Sequence, residues 1–410
     1  MPKISQRGEC TPLSPFRKFA PLAERAKAQG RKIYHLNIGQ PDILTPPQAL
    51  QAVREHPLRV LAYSSADGNL SYRQKLTGYY RSFGVELAPN QIIVTTGASE
   101  AIYLGLLSCF NQGDEILSPE PFYANYNGFA HMADIEVRAI PCRIEDGFAL
   151  PSAADFERCL TPKTKGIFLC NPNNPTGCVY PEATLRELAE VVKRHDLYLF
   201  VDEVYREFCY DGQDFFSALR LDDIREHVVV VDSISKRYSA CGARIGALIT
   251  YNERVLEAVN RYAMLRLSPP GFGQILAEAA LDVDAGYLDE VKIEYDLRRQ
   301  TVFRRLQQMP GVTSYLPGGA FYCFARFPID DADKFCRWLL EDFEYQGATV
   351  MLSPGAGFYA TPGAGLNEVR MAYVICRDDL EAAMDCLERA LMEYPGRVET
   401  ALPILEEAIL

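Results

Sequence analysis

The sequence predicts an α/β protein: a large domain with a mostly parallel central sheet flanked by helices, and a smaller α+β domain beside it. Three observations carry the prediction. Between Gln91 and Thr250, seven short apolar runs alternate with amphipathic stretches, the pattern of strands joined by helices in a parallel sheet. Past about residue 285 the texture changes to one long charged helical stretch followed by sparser strands. Four of the apolar runs end in polar clusters, which a parallel sheet brings together at the carboxyl ends of its strands.

In order, the strands are QIIVTT, DEILSP, IEVRAI, KGIFLC, LYLFVD, HVVVVD and GALITY, each only a few residues long and rich in Val, Ile, Leu or aromatics. Helical patterns such as SEAIYLGLLSCF and EATLRELAEVVKRH lie between several of them. The later part begins with GYLDEVKIEYDLRRQTVFRRLQQM, a helix linking the two domains. The turn LPGG, the strand FYCFARF, a helix around Trp338, the strand VRMAYVI and the closing helix DDLEAAMDCLERALMEY follow. The expected division is a large domain, 46–285, and a small one made of 1–45 and 286–410. The first forty-odd residues hold too few elements to form a domain alone, and are expected to lie against the smaller one.

A chain of 410 residues has core enough for roughly two to three domains. Hydrophobic content of 48% against 23% charged residues excludes long disorder. A net charge of -12 with no dense Lys/Arg tract argues against nucleic acid as a partner. The 12 cysteines are scattered, with no CxxC pair and no clustered His, so no metal site is expected and they read as reduced, mostly buried side chains of a cytoplasmic protein. No apolar run approaches a membrane span, and the N-terminal residues show no export signal.

The polar clusters are TTGASEA (95–101), CNPNNPTG (170–177), FVDEVY (200–205) and VDSISK (231–236). Gly97, Ala98 and Ser99 open a helix whose free N–H groups attract an anion; a plain strand-to-helix turn capped by Ser99 is the other reading. Ser233, Ser235 and Arg244 add hydroxyls and a forked cation, which together make a phosphate site. Arg244 stands among Gly242, Ala243 and Gly246, a setting suited to a buried ion partner. Lys236, beside the phosphate donors, is placed for desolvation to free its amine for covalent chemistry. Asp202 is an acid at the end of an apolar strand, costly to bury without a cation.

SISKRYSACGAR, NPNNPTG, DEVY and VRMAYV stand in the order and lysine-to-arginine spacing of the aspartate aminotransferase family, the class I/II aminotransferases of the fold type I pyridoxal 5'-phosphate (PLP) enzymes. The chain resembles that family from NIGQPD at 37–42 through its last helix. The resemblance implies that Lys236 holds PLP covalently and moves the substrate Cα proton. It implies that Asp202 pairs with the pyridinium nitrogen, that Tyr205 and Asn174 bond the ring's phenolic oxygen, and that Gly97, Ala98, Ser99, Ser233, Ser235 and Arg244 hold the phosphate. Tyr123 falls where the family stacks an aromatic ring on the cofactor, a core tyrosine being the alternative. Tyr63, in YSSADGNLSYRQ, matches a tyrosine that reaches the partner subunit's cofactor, which implies a homodimer; a tyrosine before a surface turn is the alternative. Arg370, inside an apolar strand, matches the residue for the substrate α-carboxylate, with Asn174 and the Gly39 backbone beside it.

The implied activity is transfer of an amino group from an L-amino acid, aspartate-like or broad in range, to a 2-oxo acid, with 2-oxoglutarate as acceptor. Some relatives read the substrate's second carboxylate with a lysine where this chain has Ser99, and Arg73, Arg237 and Arg266 are candidates to replace it. The Gly/Pro-rich stretch 353–366 reads either as a segment over the substrate or as a plain connection. A PLP-dependent C–S β-lyase is the alternative activity. A non-catalytic PLP sensor lacks room for a DNA-binding domain, and a dinucleotide oxidoreductase lacks its GxGxxG.

Overall fold

The computed structural model describes residues 2–57 and 59–398. The expected segments 1–45 and 286–410 therefore extend past the described residues at Met1 and at 399–410. Near the N-terminus a helix, Ala20–Ala28, leads into strand β1, Lys32–His35. All seven expected strands then form: β2 (Ile92–Thr95), β3 (Glu115–Glu120), β4 (Glu136–Pro141), β5 (Thr164–Cys170), β6 (Tyr198–Asp202), β7 (Val228–Ser233) and β8 (Gly246–Ile249). They make one sheet in the order β2-β8-β7-β6-β5-β3-β4. Only β8 runs antiparallel to its neighbours.

Side-chain alternation explains why these strands are apolar throughout. Phe168, Phe200, Val229, Val231 and Leu248 enter one core, while Ile167, Leu169, Leu199, Val201, Val228 and Val230 enter another. β5, β6 and β7 are thus covered on both faces, as parallel strands flanked by helices must be, whereas β4, at the sheet edge, is partly exposed. Helix Gly97–Cys109 packs on β7 and β8. Helix Glu182–Arg194 buries Leu185, Leu188, Ala189, Val191 and Val192, one stripe at helical spacing.

The remaining strands are β9 (Thr313–Ser314), β10 (Tyr322–Arg326), β11 (Ala348–Met351), β12 (Ser353–Pro354) and β13 (Glu368–Ala372). A second, antiparallel sheet has the order β12-β13-β10-β9, and β1 pairs parallel with β11. The 24-residue helix Ala285–Gln308 packs on β9, β10 and the last helix, Arg377–Glu393. The sequence reading missed β1 and β11, four-residue strands whose partner lies over 300 residues away. Residues 353–366 are more than a plain connection at their start: Ser353 and Pro354 pair with β13, and Phe358 is buried against Phe16 and Phe324. Among the described residues no helix is long and apolar enough to cross a membrane.

Candidate active site

The carboxyl ends of β5, β6 and β7 and the start of helix Gly97–Cys109 border a cavity of about 650 Å³, closed from the other side by the N-terminal turn, β10 and β13. Eleven of the residues singled out from the sequence line it: Gly39, Ala98, Ser99, Tyr123, Asn174, Asp202, Tyr205, Ser233, Ser235, Lys236 and Arg370. Arg244 lines it too, but its side chain is exposed rather than buried as expected. Gly97 stands just behind the wall with φ +74, and Arg244 Nη2 fills the space a Cβ there would need.

Lys236 follows β7 on a short helix, Ile234–Arg237, capped by Ser233, whose Oγ accepts from Ser235 N at 3.1 Å. Its Nζ donates to the Gly39 carbonyl at 2.7 Å, and burial lowers its pKa to about 8. Asp202 ends β6, accepting from the Tyr126 hydroxyl at 3.1 Å and from Val204 N at 3.3 Å. No cation pairs with it among the described residues, and burial pushes its carboxyl up to about 6. Two ionisable groups are thus held with their charged forms disfavoured, and their pKa values converge near neutrality.

At the other end, Arg370 of β13 is 2% exposed between Val369 and Met371, themselves buried. Its Nη1 donates to Asn174 Oδ1 at 3.0 Å and its Nη2 to the Asn37 carbonyl at 2.5 Å, while Nε has no partner. Phe16 and Tyr322 lie 4.3 and 4.5 Å from its guanidinium. Among the described residues no carboxylate pairs with this buried guanidinium, whose fork suits a planar anion. Tyr205 Oη accepts from Asn174 Nδ2 at 3.4 Å and bonds Tyr322 Oη at 2.8 Å.

Helix Gly97–Cys109 has Thr96 at its N-cap position with no side-chain cap, so Ser99 is not its N-cap, and Ala98 and Ser99 of its first turn line the cavity. Tyr63 does not line this chain's cavity and is 78% exposed. The replacement cations considered from the sequence are all engaged elsewhere. Arg73 pairs with Asp67 at 2.9 Å, Arg237 with Asp232 at 2.7 Å and Arg266 with Glu100 at 3.3 Å, and none lines the cavity.

Sequence reasoning missed Ser14, Phe16, Arg17, Gln40, Asn125 and Tyr322 among the lining residues, and Tyr126 behind Asp202. Tyr322 left a trace: its hydroxyl occupies the space a Cβ on Gly39 would need, so the glycine in NIGQPD was the available signal.

The chain matches the family described as aminotransferase class I and II over residues 31–387. It is 32% identical to aromatic-amino-acid aminotransferase 2 of Thermococcus litoralis, across 95% of this chain and 98% of that one. It is 30% identical to the aspartate aminotransferase of Pyrococcus horikoshii, across 91% and 94%. Among solved structures, the Thermus thermophilus aspartate aminotransferase crystallised with maleate superposes with a TM-score of 0.86 at 27% identity, covering 95% of this chain and all of that one. With one fold shared end to end and a family match spanning both sheets, the chain belongs to the class I and II aminotransferases and is an aminotransferase.

Proposed function

We propose that the protein moves an amino group from an L-amino acid to a 2-oxo acid with pyridoxal 5'-phosphate as its cofactor, and that 2-oxoglutarate serves as acceptor. The observation that carries this reading is the pairing, in one cavity, of an amine and a carboxylate that lack ion partners, Lys236 and Asp202, opposite the unsatisfied guanidinium of Arg370. The residues fit the cofactor. An uncapped helix start, the hydroxyls of Ser99, Ser233 and Ser235, and Arg244 suit a phosphate dianion. Asp202 suits a protonated ring nitrogen, Tyr205 and Asn174 suit a ring oxygen, and Tyr123 suits a ring face.

Bound there, PLP supplies an electron sink for the charge left at the substrate Cα. The chain's own groups do the rest. Arg370, steadied by Asn174 and Asn37, orients the substrate through its α-carboxylate. Lys236, whose amine is held near neutrality, takes the Cα proton. Asp202, kept from solvent, preserves the positive charge facing it.

The reading includes a homodimer in which Tyr63 serves the partner's site, supported by its exposure beside Val60 and Leu61, which are also exposed. It also includes a large domain, 46–285, packed on a small one built from 1–45 and 286–410, supported by the pairing of β1 with β11. Twelve free cysteines favour the reducing cytoplasm.

The test is the visible spectrum of the protein reconstituted with PLP while single amino acids are added without acceptor. Conversion of the cofactor to its amino form with one equivalent of 2-oxo acid released is expected. Release of pyruvate with ammonia or thiol marks a lyase and contradicts the reading.

A further inference from the structure

Arg266 does not line the cavity, yet it ties the start of helix Gly97–Cys109 to two other segments. It is the last residue of helix Glu253–Arg266, which packs on helix Gly97–Cys109. The next residue, Leu267, has φ +79 and ψ -74, a tight reversal that a residue with a side chain holds only where its surroundings impose it. Arg266 Nη2 donates to the Val94 carbonyl of β2 at 3.1 Å and to the Ala66 carbonyl, in the loop after Tyr63, at 3.2 Å. Its Nε lies 3.3 Å from Glu100 Oε1. Neither Nε nor Nη1 makes an aligned hydrogen bond, so the contact with Glu100 is one of charge. Buried Gln274 fastens the same loop: its Oε1 accepts from Asn69 N at 2.7 Å, and its Nε2 donates to Ser64 Oγ at 3.0 Å and to the Pro269 carbonyl at 3.3 Å.

Glu100 explains why a cation stands there. It belongs to the first turn of helix Gly97–Cys109, and its Oε2 accepts from Thr96 N at 2.7 Å. That bond holds the turn and leaves the N–H groups of Gly97, Ala98 and Ser99 for an anion. A carboxylate favours a helix start, but this one shares the start with the phosphate assigned to it. A phosphate dianion brings two negative charges toward Arg244, so a bare carboxylate behind the turn repels it where solvent screens little. Arg266 cancels that charge and leaves Glu100 in place to hold Thr96.

We propose that Arg266 is a positioning residue for the cofactor's phosphate, acting through Glu100. It neutralises the carboxylate that shapes the phosphate-binding turn and fixes that turn to β2 and to the loop after Tyr63. This rests on the phosphate reading of Gly97, Ala98, Ser99 and Arg244 given above.

The experiment titrates PLP and pyridoxal, which differ only in the phosphate ester, into the apoprotein and follows their absorption. The ratio of the two dissociation constants is a phosphate preference, which a merely structural loss, weakening both ligands alike, leaves unmoved. Wild type prefers PLP. Arg266→Gln lowers that preference by about 10-fold or more, and adding Glu100→Gln restores most of it, because no carboxylate is left to neutralise. Should Arg266→Gln fail to fold, Glu100→Gln alone carries the test: its amide oxygen still serves Thr96 N, and the preference rises. An unchanged preference in Arg266→Gln, a loss that Glu100→Gln does not recover, or a preference that Glu100→Gln alone leaves unchanged or lowers overturns the proposal. Arg244→Gln separates the two levels, lowering the preference if the phosphate reading holds. If it leaves the preference as it was, or if wild type takes up no PLP, that reading falls and this one with it.

Discussion

Asp202 and Glu203 are neighbours in the chain, as are Lys236 and Arg237, yet each pair splits between two environments. Asp202 and Lys236 face the cavity without ion partners. Glu203 and Arg237 point to the other side of the same strand ends, where every charge is answered. Glu203 accepts from Ser217 Oγ at 2.9 Å and Ala218 N at 2.8 Å and lies 3.4 Å from Arg206. Arg237 donates to Asp232 at 2.7 Å and to Glu207 at 2.5 Å. Nη1 of both arginines and Nη2 of Arg206 make no hydrogen bond, but the guanidinium planes of Arg237 and Arg206 lie against Tyr79 and Tyr80, at 4.1 and 4.5 Å. Burial pushes the Asp232 carboxyl up, and Arg206 and Arg237 outweigh it, holding the pKa at about 2, whereas Asp202 rises to about 6. Equal burial with unequal pairing separates a scaffold from a site that expects a ligand.

Breaking each side should therefore cost different things. Lys236→Ala is expected to lower kcat by about 10³-fold or more with little change in the urea midpoint of the apoprotein. Arg237→Ala should do the reverse in kind. It takes from buried Asp232 the nearer of its two arginines, leaving Arg206 at 3.4 Å, and takes from Glu207 its own, so unfolding by urea should register a loss of about 3–5 kcal/mol.

Asp202→Asn sharpens the contrast. Activity should fall by about 10²-fold, while apoprotein stability above pH 6 should hold or rise, because a buried charge without a partner has been removed. The smallest effect is in the pH dependence. Lys236 binds its proton less tightly folded than unfolded, so apoprotein stability contributed by this group rises as pH climbs from about 8 to the ordinary 10.5. Asp202 binds its proton more tightly folded, so its contribution falls between about pH 4 and 6. Amine-reactive labelling of Lys236 in the apoprotein should show a midpoint near 8, and a midpoint near 10.5 would remove the desolvation argument.

The scaffold was largely legible because alternation and strand length are local. HVVVVD needs no partner to announce itself, and both its faces enter cores as a parallel strand requires. Asp202 and Arg370 were legible for a related reason: a charge at the end of or inside an apolar run conflicts with its surroundings, and the conflict shows in sequence, whereas Lys236 showed through the serines beside it in SISK and the family resemblance. Arg17, Phe16 and Ser14 carry no such conflict, since their turn becomes part of the cavity only through Asn37 and Arg370, distant in the chain. The exposure of Arg244 was misjudged because its small neighbours have another cause. At Gly246 a side chain would strike the backbone of Gly97 and Ala98, so smallness there serves a close crossing of chain segments and not the burial of an arginine.

The most direct test of the contrast is to incubate the apoprotein with PLP, reduce with borohydride and map the modified peptide by mass spectrometry. The account predicts one pyridoxyl group per chain, on Lys236, abolished in Lys236→Ala and retained in Arg237→Lys. A label on another lysine, or none at all, would contradict it.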